Sequence, residues 1–164
     1  RVCNLVGNLC RHSDYFYGAL QPPGLTGAHR GRGVWTTGRG VAIASLLIER
    51  CSDPDPTTRK FASIAVGNAA FHSGALYPLL RSSVVPLMVV MREQDEKTRG
   101  NATGSLGNLV RNGGLLSDEL ARRGAVAALL DVAGKDVAPS PRRIALFSLG
   151  TCCVYVACRE AFYR

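Results

Sequence analysis

Three asparagines occupy equivalent places in three similar segments of the chain, and each directly follows a glycine: Asn8, Asn68 and Asn108. A side-chain amide offers both a hydrogen-bond donor and an acceptor, so a row of such side chains can pair with the backbone of an extended peptide. The pattern therefore predicts a peptide-binding row. The alternative is that each asparagine holds the end of its own helix or a neighbouring loop, and the sequence favours neither interpretation.

Two arginines and one further asparagine complete the candidate site. Arg11 and Arg111 each lie three residues after the asparagine of their segment, on nearly the same helical face, and would favour an acidic peptide. The alternative is that both arginines offset the dipole at the end of a helix. Asn4 precedes Asn8 by four residues, about one helical turn, and is included in the site.

These residues belong to a signature that returns along the chain. Four segments share it, the last with threonine in place of the asparagine: residues 4–13, 64–73, 104–113 and 147–154. The glycines of successive segments lie 60, 40 and 43 residues apart. Two of these intervals match the period of about 40–47 residues that armadillo and HEAT repeats have.

The long first interval contains a segment without helical periodicity, residues 21–40, which holds six glycines and two prolines. We interpret it as a loop inserted into the repeat. Because it also carries arginines and Trp35, an RNA-binding Gly/Arg segment is one alternative. An error in the gene model is another.

Each period contains the same order of helices. A long helix over residues 97–112 ends at a pair of glycines, and a short helix follows over residues 115–123. Gly124 separates this short helix from an apolar helix over residues 125–133, which is typical of burial between neighbours. Three helices per period indicate the armadillo plan, because a HEAT repeat has two.

The long helices that carry the signature are then the third helices of their repeats, expected near residues 1–13, 56–72, 97–112 and 141–158. Asp55-Pro56 and Ser140-Pro141 mark two starts, since aspartate or serine caps a helix and proline fits its first turn. The arrangement predicts an all-α fold, a right-handed α-solenoid of about three and a half armadillo-type repeats over residues 1–164. Because the chain starts inside a third helix and ends just after one, we expect further repeats on both sides.

Composition indicates a folded chain. Hydrophobic residues make up 46% and charged residues 20% of the sequence, and no apolar run is long enough to cross a membrane. The net charge of +8 comes mainly from scattered arginines, which we interpret as solvated faces. A basic nucleic-acid-binding solenoid is the alternative.

No residue pattern indicates an enzyme, a metal site or a cofactor. The six cysteines form no C-x-x-C pair, and no histidine stands at a zinc-finger spacing. We expect these cysteines to be small buried thiols. His12 and His72 recur at one repeat position, which favours a capping or packing role over catalysis.

Longer motifs cover almost the whole chain outside residues 21–40. They include GNLCRHSDYFY, LLIERCSDPD, VGNAAFHS and GNLVRN, within residues 7–17, 46–55, 58–62, 66–73, 95–102, 107–112 and 144–149. These stretches resemble the C-terminal armadillo region of Fused-type serine/threonine kinases, especially the plant and algal form called TWO-IN-ONE.

The resemblance implies an interaction and targeting region of such a kinase. None of the kinase motifs stands in this chain. In that family, partners include kinesin-like motors in plant cytokinesis, and animal members have roles in Hedgehog signalling and motile cilia. The implied function is a cytoplasmic, cytoskeleton-associated protein-interaction scaffold that has no activity of its own. Regulatory docking on the parent kinase domain is a further alternative.

One kind of armadillo recognition is not expected. Importin-type repeats, which bind nuclear localisation signals, carry tryptophan four residues before the asparagine. The equivalent positions here hold Asn4, Ile64, Gly104 and Phe147. The tryptophan array of that recognition is therefore missing.

Overall fold

The computed structural model describes residues 1–22 and 42–163, which form α-helices and short 3-10 turns and contain no β-strand. The α-helices are α1 (Val2–Leu9), α2 (Ile43–Arg50), α3 (Pro56–Phe71), α4 (Tyr77–Leu80), α5 (Val84–Val90), α6 (Glu96–Arg111), α7 (Ser117–Arg122), α8 (Ala125–Lys135), α9 (Pro139–Cys152) and α10 (Val156–Phe162). The 3-10 turns cover Tyr17–Leu20, Gly74–Leu76 and Arg81–Ser83. Of the predicted loop at 21–40, all but its first two residues lie outside the described ranges.

The helices that carry the signature, α1, α3, α6 and α9, are called the signature helices below. They pack side by side in chain order, α1 on α3, α3 on α6 and α6 on α9. A second layer lies against them, with α2 on α3, α5 on α6 and α8 on α9. The arrangement is the all-α solenoid that the sequence predicted.

One continuous hydrophobic core lies between these layers. Its fully buried side chains are mostly leucine and valine, and they include Leu47, Leu80, Leu87, Leu106, Leu109, Leu120 and Leu129. Burying one such side chain contributes roughly 1.5–3 kcal/mol. No single repeat can bury these faces alone, so the stacked layers hold one another together.

Aspartates begin the two longest signature helices. Asp55 accepts hydrogen bonds from the backbone N–H groups of Thr57 and Thr58, and Pro56 occupies the first turn of α3. Asp95 accepts from the N–H of Thr98 at the start of α6. These contacts satisfy backbone donors that a helix leaves unpaired at its start, and the start predicted at Asp55-Pro56 is confirmed.

The predicted third helix over residues 141–158 is wrong in both its start and its end. Helix α9 begins at Pro139 after Ala138, because the earlier of the two prolines takes the first turn and Ser140 does not cap. It ends at Cys152, and α10 starts after Tyr155, whose backbone is extended. Arg159 closes the break by donating from Nη1 to the carbonyl of Val154 at 2.8 Å.

Glycines lie at the two breaks that the sequence predicted on either side of α7. Gly113 and Gly114 follow α6 with φ angles of 89° and 69°, and Gly124 has a φ of 76° between α7 and α8. This left-handed conformation is favourable for glycine and costly for other residues. The three-helix order predicted for residues 97–133 is therefore present.

The signature glycines allow successive signature helices to approach closely. A Cβ atom on Gly107 would lie 2.6 Å from Oγ and 2.8 Å from Cβ of Ser148 in the next signature helix. Gly67 meets Ser105 in the same way. Both serines stand two positions before the next glycine, so the signature pairs a glycine on one helix with a small residue on the following one.

The same serines add hydrogen bonds across the contact. Ser105 donates from Oγ to the carbonyl of Ser63 at 2.8 Å, and Ser148 donates to that of Thr103 at 3.1 Å. Each bond joins one signature helix to the preceding one. The spacing between signature helices is thus set by contact and by polar pairing together.

No single helix in the described ranges is long and apolar enough to cross a membrane. The segments Pro56–Phe71 and Gly74–Val90 meet the length and composition of a span only when taken together, and they are bent by 116° relative to each other.

Candidate protein-interaction surface

The predicted asparagine row lies near the C-terminal ends of three signature helices. Asn8 on α1 is exposed, whereas Asn68 on α3 and Asn108 on α6 are half-buried. Because α1, α3 and α6 are neighbours, the three side chains follow one another across the stack. The structure therefore brings the candidate residues to one side of the signature helices.

Two of the asparagines bind the preceding signature helix. Asn68 donates from Nδ2 to the carbonyl of Gly7 at 2.8 Å, and Asn108 donates to that of Gly67 at 3.1 Å. We call each of these bonds an amide tie. The sequence raised the possibility that the asparagines hold their own helix end or a loop, but the partner is the neighbouring helix.

An amide tie leaves part of the side chain unused. The amide oxygens of Asn68 and Asn108 accept no hydrogen bond from the described residues, and no buried side-chain oxygen there lacks a partner. Among the described residues, both oxygens are therefore unused as acceptors. One Nδ2 hydrogen of each amide also remains, so each side chain still offers a donor and an acceptor at a fixed position.

Asn4 and Asn8 form a different arrangement at the first signature helix. Asn8 donates from Nδ2 to Oδ1 of Asn4 at 3.3 Å, within the same helix, and both residues are exposed. The pair stabilises its own helix weakly, as expected for exposed partners four residues apart.

The two candidate arginines differ in their surroundings. Arg111 lies over the ring of Phe71 with its guanidinium carbon 4.2 Å from the ring centre, which is a cation–π contact between α6 and α3. Arg11 follows the end of α1 and is exposed. Both add positive charge beside the asparagine row.

A tyrosine hydroxyl holds the end of α3. Tyr17 donates from its hydroxyl to the carbonyl of Asn68 at 2.6 Å and accepts from the backbone N–H of His72 at 3.2 Å. Burial raises the pKa of Tyr17 to about 12, so the hydroxyl keeps its proton and remains a donor.

The next repeat has the same contact. Tyr77 donates to the carbonyl of Asn108 at 2.6 Å and accepts from the N–H of Asn112 at 3.0 Å. Burial raises the pKa of Tyr77 as well. We call these two arrangements the tyrosine latches. Neither tyrosine was among the candidate residues; the signal that could have found them is that each stands nine residues after a signature asparagine.

The residues four positions after Asn68 and Asn108 each bind the chain at or just beyond the C-terminal end of the preceding signature helix. His72 donates from Nε2 to the carbonyl of Arg11 at 2.9 Å. Asn112 donates from Nδ2 to the carbonyls of Ala70 and Phe71 at 3.1 and 3.0 Å. The carbonyls of Ala70 and Phe71 lie in the last turn of α3, where a helix leaves carbonyls without an internal partner. Arg11 lies two residues beyond the end of α1, so His72 joins the segment after that helix to α3. This contact agrees with the capping or packing role expected of His72.

The row stops at α9. Thr151, which stands where the asparagine would be, donates from Oγ1 to the carbonyl of Phe147 at 3.2 Å within its own helix. It forms no bond with the preceding signature helix, so no amide tie joins α9 to α6.

The described residues contain no group of three or more His, Cys, Asp or Glu that could hold a metal ion. All six cysteines are free, and burial raises the pKa of Cys10 to about 11 and of Cys51 to about 12. Cys10 and Cys51 are therefore poor nucleophiles, because the thiolate is the reactive form.

No protein-family model matches the sequence. The chain is 32% identical over 145 residues to serine/threonine-protein kinase 36 of Pongo abelii and 32% identical over 149 residues to its counterpart in Mus musculus. These matches cover 88% and 91% of the chain. Serine/threonine-protein kinase TIO of Arabidopsis thaliana is 37% identical over 95 residues, which is 49% of the chain.

The chain is homologous to a segment of the Fused-type kinases. It spans only 10% of the length of the first two relatives and 7% of the third. The homology confirms the resemblance that the motifs indicated. The matched region is a small, non-kinase part of these proteins.

Solved structures identify the fold. A designed armadillo repeat protein, YIII(Dq)4CqI, superposes with a TM-score of 0.78 at 13% identity, over 98% of this chain and 61% of that protein. A second, YIII(Dq.V1)4CPAF in complex with the peptide (KR)4, gives the same TM-score and identity. The predicted armadillo-type solenoid is thereby confirmed.

Proposed function

We propose that this chain binds an extended segment of a partner protein along the asparagine row of α1, α3 and α6. The observation that carries the proposal is the hydrogen bonding of the side-chain amides of Asn68 and Asn108. Each amide is held in place by its tie to the preceding helix, while its oxygen accepts no hydrogen bond from the described residues. A side chain that is already positioned loses little entropy when a ligand binds, which favours affinity.

The charge beside the row supports an acidic ligand. Arg11 is exposed and Arg111 is held over Phe71, so the row has two guanidinium groups within the same stretch of the stack. Guanidinium groups bind carboxylates through paired N–H donors. We therefore expect peptides with aspartate or glutamate to bind better than basic ones.

In the full protein, we propose that this segment is a scaffold that directs a Fused-type kinase to its partners. The homology to these kinases over most of the chain supports the assignment. A kinesin-like motor or another cytoskeletal protein in the cytoplasm is the proposed class of partner.

Peptide selection on the purified chain tests binding at the asparagine row. Peptides from a random library are ranked by binding, and the best are measured by fluorescence anisotropy. Replacing Arg11 by glutamate should weaken an acidic peptide about tenfold without touching an amide tie. The matched control is Arg143→Glu on α9, an exposed arginine away from the row.

Two results would contradict the proposal. Equal losses for Arg11→Glu and Arg143→Glu would mean that only net charge matters. Binding of nucleic acid that falls steeply with salt, with no selected peptide, would favour the basic solenoid alternative. The cytoskeletal proposal is tested separately, by co-precipitating kinesin-like proteins with the full-length protein carrying either variant.

A further inference from the structure

Three arginines converge on one buried carboxylate away from the asparagine row. Oε2 of Glu119 accepts hydrogen bonds from Arg81 at 2.9 Å and Arg122 at 2.7 Å, and Oε1 accepts from Arg123 at 2.7 Å. The carboxylate side chain is only 6% exposed, whereas the three arginines are 57%, 61% and 56% exposed. We call this group the arginine cluster. It joins the turn before α5 to α7, and neither element carries a signature asparagine.

The arginine cluster has excess positive charge, unlike other ion pairs that link helices. Arg99 pairs one-to-one with Asp136, and Arg59 pairs one-to-one with Glu93. In the arginine cluster, three guanidinium groups face one carboxylate, which leaves two positive charges. The pKa of Glu119 is held at about 2, first by its bond with Arg123 and then by that with Arg81, so the carboxylate stays ionised at neutral pH.

Several guanidinium donors of the cluster remain unused. Arg81 bonds Glu119 through Nε and Nη2, which leaves Nη1. Arg122 uses only Nη2 and Arg123 only Nε, and none of the remaining nitrogens binds another described residue. The carboxylate thus positions three arginines whose free N–H groups can bind a second anion.

An open cleft of about 500 Å³ adjoins these groups. It is lined by the arginine cluster together with Pro78, Ser82, Val84 and Val85. A second cleft of about 280 Å³ shares Arg123 and is lined mainly by apolar side chains, among them Met88, Met91, Ala128 and Val132. A charged cleft therefore lies beside one that is mainly apolar and is also lined by Arg92 and Asp131.

We propose that the arginine cluster binds a phosphorylated serine or threonine of a partner protein. The phosphoryl group lies among Arg81, Arg122 and Arg123, and an apolar side chain near it in the peptide enters the second cleft. A phosphoryl group carries roughly −1.5 to −2 charges near neutral pH and has three acceptor oxygens, which matches two excess positive charges and several free donors. A carboxylate would supply only one charge.

The geometry favours a peptide over a nucleic acid or a membrane. The three arginines meet at one point, whereas a nucleic acid backbone needs cations repeated along a groove. The adjoining cleft is lined mainly by apolar side chains, which suit an apolar side chain of a peptide better than a phosphate chain. The proposal is independent of the asparagine row, because it involves different helices.

Fluorescence anisotropy with paired peptide libraries tests the proposal. Each library has one central phosphoserine or phosphothreonine among degenerate positions, and its partner library is identical but unphosphorylated. We expect the phosphorylated library to bind at least tenfold more tightly, with inorganic phosphate competing. Arg122→Ala and Arg123→Ala should each weaken binding about tenfold, while Arg143→Ala should leave it unchanged.

Circular dichroism and thermal unfolding of each variant separate binding from folding. If Arg123→Ala does not fold, Arg122→Lys takes its place, because lysine keeps the charge but loses the planar set of donors and should still weaken binding. Equal binding of phosphorylated and unphosphorylated libraries would overturn the proposal. So would phosphopeptide binding that Arg122→Ala leaves intact, or vesicles of anionic lipid or heparin that bind through these arginines while no phosphopeptide does.

Discussion

The junction between α3 and α6 and the junction between α6 and α9 have the same steric contact but differ in their hydrogen bonds. Both place a signature glycine against a serine of the next helix. Only the first adds an amide tie, from Asn108, and a tyrosine latch, from Tyr77. At the second, Thr151 bonds within its own helix. The steric contact is thus common to both junctions, and the polar bonds at the helix ends are an addition that coincides with the candidate row.

The largest expected effect comes from changing the glycine–serine contact that both junctions share. Gly107→Ala places a methyl group against Ser148 and should lower the free energy of unfolding by about 3 kcal/mol, because overpacking at a tight contact forces the helices apart. Gly150→Ala is the matched control, since its added Cβ would meet no atom within 4 Å apart from its chain neighbours and the backbone of its own helix, and it should be neutral or slightly stabilising. Urea denaturation measures both. Equal free energies for the two variants would show that close approach is not the role of the signature glycine.

The ion pair at the start of α6 should give the next largest effect. Arg99 binds both oxygens of Asp136 at 2.7 and 2.8 Å, and the two side chains are only 12% and 5% exposed. Asp136→Asn should lower the free energy of unfolding by about 2 kcal/mol at pH 7, because the charged partner loses its counter-ion.

The same variant predicts a pH dependence. The bond from Arg99 lowers the pKa of Asp136 below its ordinary value of 3.8. The unfolded chain therefore takes up a proton first as pH falls, so this contribution is complete above the ordinary pKa and is lost below it. The difference between wild type and Asp136→Asn should shrink as pH falls below about 4. A difference that stays constant down to pH 2 would contradict the assignment.

A smaller effect is expected from removing the tyrosine latch, which only the first junction has. Tyr77→Phe removes the hydroxyl that binds Asn108 and Asn112 and should cost about 1.5 kcal/mol, because a carbonyl and an N–H lose their partner. Hydrogen exchange should accelerate at the N–H of Asn112 and not at the end of α9. Tyr163→Phe, at an exposed position, serves as the control. No change in exchange at Asn112 would argue against the latch.

The smallest effect is expected from adding an amide tie, as in the first junction, to the second junction. Thr151→Asn places an amide where it can reach the carbonyl of Gly107, as Asn108 reaches that of Gly67. We expect a gain of about 0.5–1 kcal/mol in the free energy of unfolding. Thermal unfolding and peptide binding measured on the same variant check the gain. A loss of stability would mean that the amide tie depends on more than the residue type.

The repeated features could be predicted from the sequence because they recur at a fixed period. Gly7, Gly67 and Gly107 indicated the helices, the solenoid and the candidate row. The break between α9 and α10 could not be predicted in this way, since residues 152–155 contain no glycine or proline. It depends on the extended backbone at Tyr155 and on the bond from Arg159.

The contacts between distant residues were not predictable for a different reason. The partner of Tyr17 is 51 residues away in the chain, and Arg81 meets Glu119 across 38 residues. Such pairs depend on how the helices stack and not on any local pattern. The serines opposite Gly67 and Gly107 belong to the same class, because a position without a side chain carries no sequence sign of what lies against it.

The amide ties have a consequence for how this family will vary. Asn68 and Asn108 join one helix to the next, so selection for a folded chain retains them whether or not a partner touches them. Conservation of these two asparagines among related proteins would therefore reflect the stacking of the helices and not the binding of a partner. Arg11, which is exposed beyond the end of its helix, is free to drift unless a ligand holds it. Across related kinases, changes at this position should follow changes of partner.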